Sequence, residues 1–204
     1  MSLAQNEPSP PGTHYAESYS FASASKDSTT SIWDYLKTGT PKVMSLGQHS
    51  KSVTCVKWGG EGLIYTASQD RDIHVWRAED GTLCRSLKGH AHWVNSISLN
   101  TDYVIRTGPY NERGQVAEKG MSLKAVAQKR YDAAKGECAE RLVSGSEDNT
   151  MYLWEGSKEK KPIVPRMTGH QKPILFVSFS PDGRYIASSS MDKNTKIWNG
   201  STGR

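Results

Sequence analysis

Four times in 204 residues the chain writes a small residue, Ser, any residue, Asp, five spacers and Trp. The copies are Ala24-Ser25-Lys26-Asp27 with Trp33, Ala67-Ser68-Gln69-Asp70 with Trp76, Gly145-Ser146-Glu147-Asp148 with Trp154, and Ser189-Ser190-Met191-Asp192 with Trp198. A His precedes three of them: His49, His90 in Gly89-His90, and His170 in Gly169-His170. Asp27 and Asp70 stand 43 residues apart and Asp148 and Asp192 stand 44 apart, but Asp70 and Asp148 are separated by 78. A period this short leaves each unit unable to bury a core alone, so the units must stack side by side.

Each unit carries short runs of strand character separated by turns. In the second unit the runs are Val53 to Trp58, Leu63 to Ala67, Ile73 to Trp76 and Cys84 to Leu87. The breaks between them are Gly59-Gly60-Glu61-Gly62, Gln69-Asp70-Arg71-Asp72 and Glu79-Asp80-Gly81. The last unit repeats the scheme with Ile174 to Phe179, Ser180-Pro181-Asp182-Gly183, Tyr185 to Ser189 and Thr195 to Trp198. Four antiparallel strands per unit make one twisted blade, and the Gly-His and Trp marks resemble the WD40 repeat. The expected fold class is therefore all-β: a WD40 β-propeller of about four blades, an incomplete ring, with a partly helical insertion in the third unit. The resemblance implies a buried hydrogen-bonded set in each blade. His49, Ser68, Asp70 and Trp76 form one, His170, Ser190, Asp192 and Trp198 another, and His90, Ser146, Asp148 and Trp154 the third, across the insertion. A fully satisfied buried polar network specifies one packing.

Ser, His and Asp together also suggest nucleophilic catalysis. Repetition decides against it, because an active site occurs once and a structural device occurs in every blade. His90-Ala91-His92 has no Cys or carboxylate nearby at metal-ligand spacing. Gly59-Gly60-Glu61-Gly62 lacks the Lys-Ser/Thr of a phosphate loop. The sequence thus predicts no catalytic, metal or cofactor-binding residues, and no small-molecule substrate.

No apolar run approaches membrane-spanning length and no signal peptide opens the chain, so no membrane partner is expected. Cys55, Cys84 and Cys138 are odd in number and lack CxxC spacing, which fits reduced thiols inside the cell. Asn199-Gly200-Ser201 matches a glycosylation acceptor only by chance without a secretory signal. The net charge of +5 comes from scattered basic residues and names no partner, and Lys158-Glu159-Lys160-Lys161 is expected to be a solvated loop.

The long spacing places about 35 extra residues in the third unit, between a strand ending near Leu99 and one starting at Arg141. Within this insertion, about 100–140, a loop covers Gly108 to Gly114 and a helical pattern runs from Met121 to Lys135. Leu123, Val126, Ala127, Tyr131 and Ala134 fall on one stripe, whereas Lys124, Gln128 and Lys135 lie off it. Seven basic and six acidic residues from Asn100 to Glu140 nearly cancel, which favours a helix docked on the propeller rim, or offered to a partner, over an electrostatic arm. Residues 1–17 are expected to be disordered or a remnant loop, and residues 18–204 to form the repeat region, with blades around Trp33, Trp76, Trp154 and Trp198. The outer strand of the last blade is missing by this reading, so the chain is expected to be an internal piece of a longer protein.

A narrower resemblance rests on particular words. Ser52 to Gly60, followed by Tyr65 to Arg71, is similar to the Notchless family of eukaryotic ribosome-assembly factors. So are Gly89-His90-Ala91-His92-Trp93-Val94-Asn95-Ser96, Asn100-Thr101-Asp102-Tyr103, Arg106-Thr107-Gly108, Glu140 to Ser146, Arg166 to Gln171 and Ala22 to Asp27. Asn6-Glu7-Pro8 resembles the family's preceding loop. The family has an insertion at this same place. The resemblance implies a non-catalytic scaffold in large (60S) subunit assembly, in the nucleus and nucleolus, docked on proteins of the pre-60S particle and on rRNA. A midasin-type AAA ATPase is implied only through a ubiquitin-like domain that is not among these 204 residues. Gly47-Gln48-His49 spaces out the usual Gly-His, and Trp33-Asp34 is the one intact Trp-Asp pair.

Blade geometry in such rings points to partner contacts in the loop after the Gly-His and just before the tetrad Asp. These are Lys51, Ser52, His92, Trp93, Lys172 and Pro173, and then Lys26, Gln69, Glu147 and Met191. Trp93 stands out because exposed aromatics are enriched at binding hot spots. Two other functions fit the same residues: a generic WD40 adaptor, for instance presenting substrates to a ubiquitin ligase, or a truncated product without independent function.

Overall fold

Strand formation follows the repeat, and every blade is an up-and-down antiparallel sheet. The computed structural model describes residues 3–5, 20–34, 42–116, 121–136, 140–155 and 162–204. The first sheet holds β1 (Leu3–Gln5), β2 (Ser20–Ala24), β3 (Thr30–Asp34) and β4 (Lys42–Leu46), in that order. The second holds β5 (Val53–Trp58), β6 (Leu63–Ser68), β7 (Ile73–Arg77) and β8 (Leu83–Leu87). In the third, β9 (Val94–Leu99) precedes the insertion, and β10 (Arg141–Ser146), β11 (Met151–Glu155) and β12 (Pro162–Met167) follow it. The fourth has three described strands, β13 (Ile174–Phe179), β14 (Tyr185–Ser190) and β15 (Thr195–Asn199). The architecture is all-β and propeller-like, and the strand ends lie within a residue of those read from the sequence.

Within residues 1–17, Leu3–Gln5 depart from the expectation. Leu3, Ala4 and Gln5 form a strand paired with Ser23, Ala22 and Phe21, so this stretch contributes the edge strand of the first blade rather than a loop. The physical reason is local: the free edge of β2 presents unpaired backbone groups that a short extended segment satisfies. Other residues of the 1–17 stretch, with Asn6-Glu7-Pro8, lie outside the described residues, as do Cys138 and Lys158 to Lys161.

The core sits between blades, in three layers. Ala22, Ala24, Ile32 and Leu46 of the first blade meet Val53, Val56, Trp58, Ile64 and Trp76 of the second. Cys55, Tyr65, Ala67, Ile73, Val75 and Leu87, on the other face of the second blade, meet Val94, Ile97, Leu99, Leu142 and Trp154 of the third. Val143, Met151, Leu153 and Met167 then meet Ile174, Val177, Phe179 and Ile186 of the fourth. Side chains alternate along each strand, so a blade offers one set to each neighbour and has no interior of its own. Burial of these sets drives the stacking, at about 25 cal/mol per Å² of apolar surface.

The insertion contains two helices, α1 (Asp102–Thr107), which no sequence pattern marks, and α2 (Leu123–Lys135). Ser122 caps α2 by accepting from the Ala125 N–H at 3.2 Å, which sets its start two residues after the expected one. Val126 and Tyr131 are buried and Ala127 and Ala134 half-buried, but Leu123 is exposed, contrary to the expected stripe. The helix is held through its later turns, and Leu123 and Lys124 of its first turn are exposed. Asn100 Nδ2 donates to the Ala134 carbonyl at 2.8 Å, and Lys135 pairs with Glu61 in the β5–β6 hairpin.

Glu140 fastens this docking. Its Oε1 accepts from Gly60 N at 2.9 Å, Thr101 Oγ1 at 2.7 Å and Tyr131 Oη at 2.9 Å. Burial pushes its pKa up despite these three donors. The Gly59-Gly60 pair is required here for space. A Cβ on Gly60 would stand 2.2 Å from the Tyr131 ring, and one on Gly59 would stand 2.3 Å from Glu140 Oε2.

Candidate functional site

Three blades share one hydrogen-bonded chain. In the second, Trp76 Nε1 donates to Thr66 Oγ1 at 2.8 Å, Thr66 Oγ1 meets His49 Nε2 at 2.8 Å, and His49 Nδ1 meets Asp70 Oδ2 at 2.8 Å. In the third, the chain is Trp154, Ser144, His90 and Asp148, with steps of 2.9, 2.8 and 3.0 Å. In the fourth it is Trp198, Ser188, His170 and Asp192, each step at 2.8 Å. One arrangement satisfies every atom: the indole donates to the hydroxyl, the hydroxyl donates to Nε2, and Nδ1–H donates to the carboxylate. The first blade keeps the Trp33 Nε1 to Ser23 Oγ step at 2.8 Å.

The His, Asp and Trp expected in each set do join this chain, but the expected hydroxyl does not. Ser68, Ser146 and Ser190 are not members. Each instead accepts from the N–H of its own Asp70, Asp148 or Asp192 at 3.1 Å and donates to a loop carbonyl, of Lys51, His92 or Lys172. The relay is the residue two positions earlier, Thr66, Ser144 or Ser188. The cause is geometric, because that residue faces the Trp of the next strand, as Thr66 does ten positions before Trp76. The signal stands in the sequence as hydroxyl-x-Ser in all four copies: Ser23, Thr66, Ser144 and Ser188.

Each Asp also holds the loop. Asp70 Oδ2 accepts from Ser50 N at 3.0 Å, Asp148 from Ala91 N at 2.8 Å and Asp192 from Gln171 N at 3.1 Å. Burial raises these carboxyls, but the bonds from His and from backbone N–H groups outweigh it and hold all three below the usual range. The turn after each Asp repeats too: Ser28, Arg71, Asn149 and Lys193 have φ of 73, 79, 67 and 70°. These turns and the loops before β5, β9 and β13 form one end of the array.

That end carries the residues expected to meet a partner. Lys51, His92, Trp93, Lys172, Met191 and Lys26 are exposed, Trp93 by 38% and Met191 by 52%. Gln69, Glu147, Ser52 and Pro173 are half-buried. Glu147 is committed within the protein: its Oε1 accepts from Asn95 Nδ2 at 2.9 Å, and the same nitrogen donates to the Ile174 carbonyl at 2.8 Å, tying the third blade to the fourth. Asn95 is a linking residue that no repeat pattern marks. Trp93 leans on His92, with ring centroids 5.2 Å apart, and its carbonyl accepts from Glu147 N at 2.9 Å. Among the described residues, no group of three or more His, Cys, Asp or Glu is arranged to hold a metal.

Four-stranded blades locked by Trp, hydroxyl, His and Asp define a WD40-repeat protein. Residues 40–77 and 162–199 match the family model described as WD domain, G-beta repeat. Over most of its length the chain is similar to proteins of the Notchless family. It is 49% identical over 166 residues to Protein Notchless of Drosophila melanogaster, covering 79% of this chain and 33% of that protein. It is 49% identical over 184 residues to the Notchless protein homolog of Arabidopsis thaliana, covering 90% and 38%. It is 44% identical over 187 residues to Ribosome assembly protein 4 of Saccharomyces cerevisiae, covering 90% and 36%. The chain spans about a third of the length of these relatives.

Proposed function

We propose that this chain is a non-catalytic scaffold in ribosome assembly that docks on pre-60S particles in the nucleus and nucleolus. The observation that carries the reading is the 44% identity, over 90% of the chain, to a protein named for ribosome assembly. The committed polar residues support the non-catalytic part, since His49, His90 and His170 are bonded at both ring nitrogens and Asp70, Asp148 and Asp192 at both oxygens. The loop end with Trp93, His92, Lys51, Lys172, Gln69, Glu147 and Met191 is the proposed contact surface, with pre-60S proteins and rRNA as partners. A midasin-type ATPase enters only through a domain outside these residues. The test is a tagged pull-down from nuclear extract resolved on a sucrose gradient. Co-sedimentation with pre-60S particles is the expected result, and a chain that stays soluble at the top of the gradient overturns the reading.

A further inference from the structure

At the insertion end four cations have carboxylate partners: Lys57 pairs with Asp102 at 2.9 Å, Arg77 with Asp80 at 3.0 Å, Arg184 with Asp182 at 3.7 Å, and Lys135 with Glu61. At the loop end Lys88 pairs with Asp72 at 3.5 Å, but Lys26, Lys51, Arg71, Lys172 and Lys193 are all exposed. Among the described residues none of these five meets a carboxylate within 4.0 Å. The acids that could balance them are turned inward. Asp70, Asp148 and Asp192 are spent on His, and Glu147 on Asn95, which leaves Asp27 as the exposed carboxylate of the repeated turns.

The loops that carry these cations are bonded to one another across blade boundaries. Ser52 Oγ donates to the Lys26 carbonyl at 3.0 Å, joining the first blade to the second. Thr54 Oγ1 donates to the Val94 carbonyl, joining the second to the third beside Trp93. Asn95 joins the third to the fourth at Ile174, two residues from Lys172. Trp93 lies in the loop before β9 with its indole partly bare and its backbone pinned by Glu147.

We propose that this end binds single-stranded RNA, with these lysines and Arg71 following the phosphates and Trp93 stacking on a base. Unpaired cations spaced along a track, interrupted by an exposed aromatic, are what sequence-tolerant single-strand binding requires. An acidic peptide would use the cations equally but gains no stacking from Trp93. The inference rests on the ribosome-assembly reading and names the partner class of that same surface.

Fluorescence anisotropy with a labelled twelve-nucleotide mixed-sequence RNA and the purified chain tests it. Binding at 50 mM salt should weaken linearly in log-log salt plots. Lys51→Gln with Lys172→Gln should weaken it at least tenfold and lower the salt slope by about 1.4, at roughly 0.7 for each phosphate no longer neutralised. Trp93→Ala should weaken it about fivefold to tenfold and leave the slope unchanged, whereas Arg77→Gln at the insertion end should change neither. Poly-glutamate of matched charge is the competing arm. Equal affinity for poly-glutamate with no effect of Trp93→Ala overturns the proposal in favour of an acidic protein partner, and absence of RNA binding overturns it outright. Co-sedimentation of the Lys51→Gln, Lys172→Gln variant with pre-60S particles at wild-type level would sink the RNA surface while leaving the docking function standing.

Discussion

The second and fourth blades carry the same polar chain in different surroundings. His49 to Asp70 and His170 to Asp192 are both 2.8 Å, and the Trp steps are both 2.8 Å. Yet Cys55 and Val75, which the second blade buries against the third at 9% and 0% exposure, correspond in strand position to Phe176 and Ile197, exposed by 61% and 65%. The hydrogen-bonded chain is therefore a device internal to each blade, set by residues within one repeat. Burial is conferred by the neighbour. The same strand pattern makes a core residue wherever a neighbouring blade packs on it.

The sharpest way to break the comparison is a charge at equivalent positions. Val75→Asp should unfold the chain, since an unpaired carboxylate at a fully buried site costs about 4 kcal/mol or more. Ile197→Asp should move the urea midpoint by no more than about 0.5 kcal/mol equivalent. Similar losses for both would mean that the fourth blade's outer face is covered in solution.

A second test uses pH. His74 is buried, stacks on His49 with centroids 3.9 Å apart and sits at the position that Lys196 fills in the fourth blade. Burial first, and then the nearby His49, lower its pKa to about 4 against the nearby Asp70 and Asp72. The unfolded chain thus binds the extra proton between pH 6.5 and 4. Stability is fully present above about pH 6.5 and falls as pH drops through that window, by about 3 kcal/mol at most. Denaturant melts at pH 7.5, 5.5 and 4.5 should show the fall, and His74→Leu should flatten it.

Next is the relay. Thr66→Ala leaves Trp76 Nε1 and His49 Nε2 without partners and should cost about 2 kcal/mol in a urea melt. Ser188→Ala should cost less, because Trp198 is half-exposed and water can replace the hydroxyl. Ser68→Ala removes one turn bond and one bond to the Lys51 loop carbonyl and should cost about 1 kcal/mol.

The hairpins give the smallest contrast. Gly60 lies under Tyr131, whereas the matching residue of the fourth blade is the exposed Pro181. Gly60→Ala should cost about 1–2 kcal/mol through overpacking. Tyr131→Ala should remove that cost in a double-mutant cycle, and persistence of the cost would place its origin in the hairpin backbone instead.

Much of this is legible in the chain. The Ser-x-Asp-x5-Trp copies mark blade number, and the break in spacing between Asp70 and Asp148 locates the insertion, because repetition aligns units without coordinates. The strand β1 is not legible: three residues, Leu3–Gln5, with no pattern of their own are strand only because β2 offers an edge. The docking of α2 is ambiguous for a related reason. Its stripe is short, and what holds it is Glu140, a lone carboxylate whose partners Gly60, Thr101 and Tyr131 come from three separate segments. The role of Ser68 is easily mistaken because two hydroxyls stand on one strand face, and the Trp opposite decides which joins the chain.

What the sequence alone determined is whatever is encoded within one repeat: strand order, turn positions, and the His, Asp and Trp of each polar chain. These are short-range consequences of period-2 strands and of donors matched to acceptors. Tertiary structure decided which apolar faces are buried, which cations lack a carboxylate, and where the insertion rests. Those properties belong to pairs of segments distant in the chain, and burial and ion pairing depend on what lies across the gap.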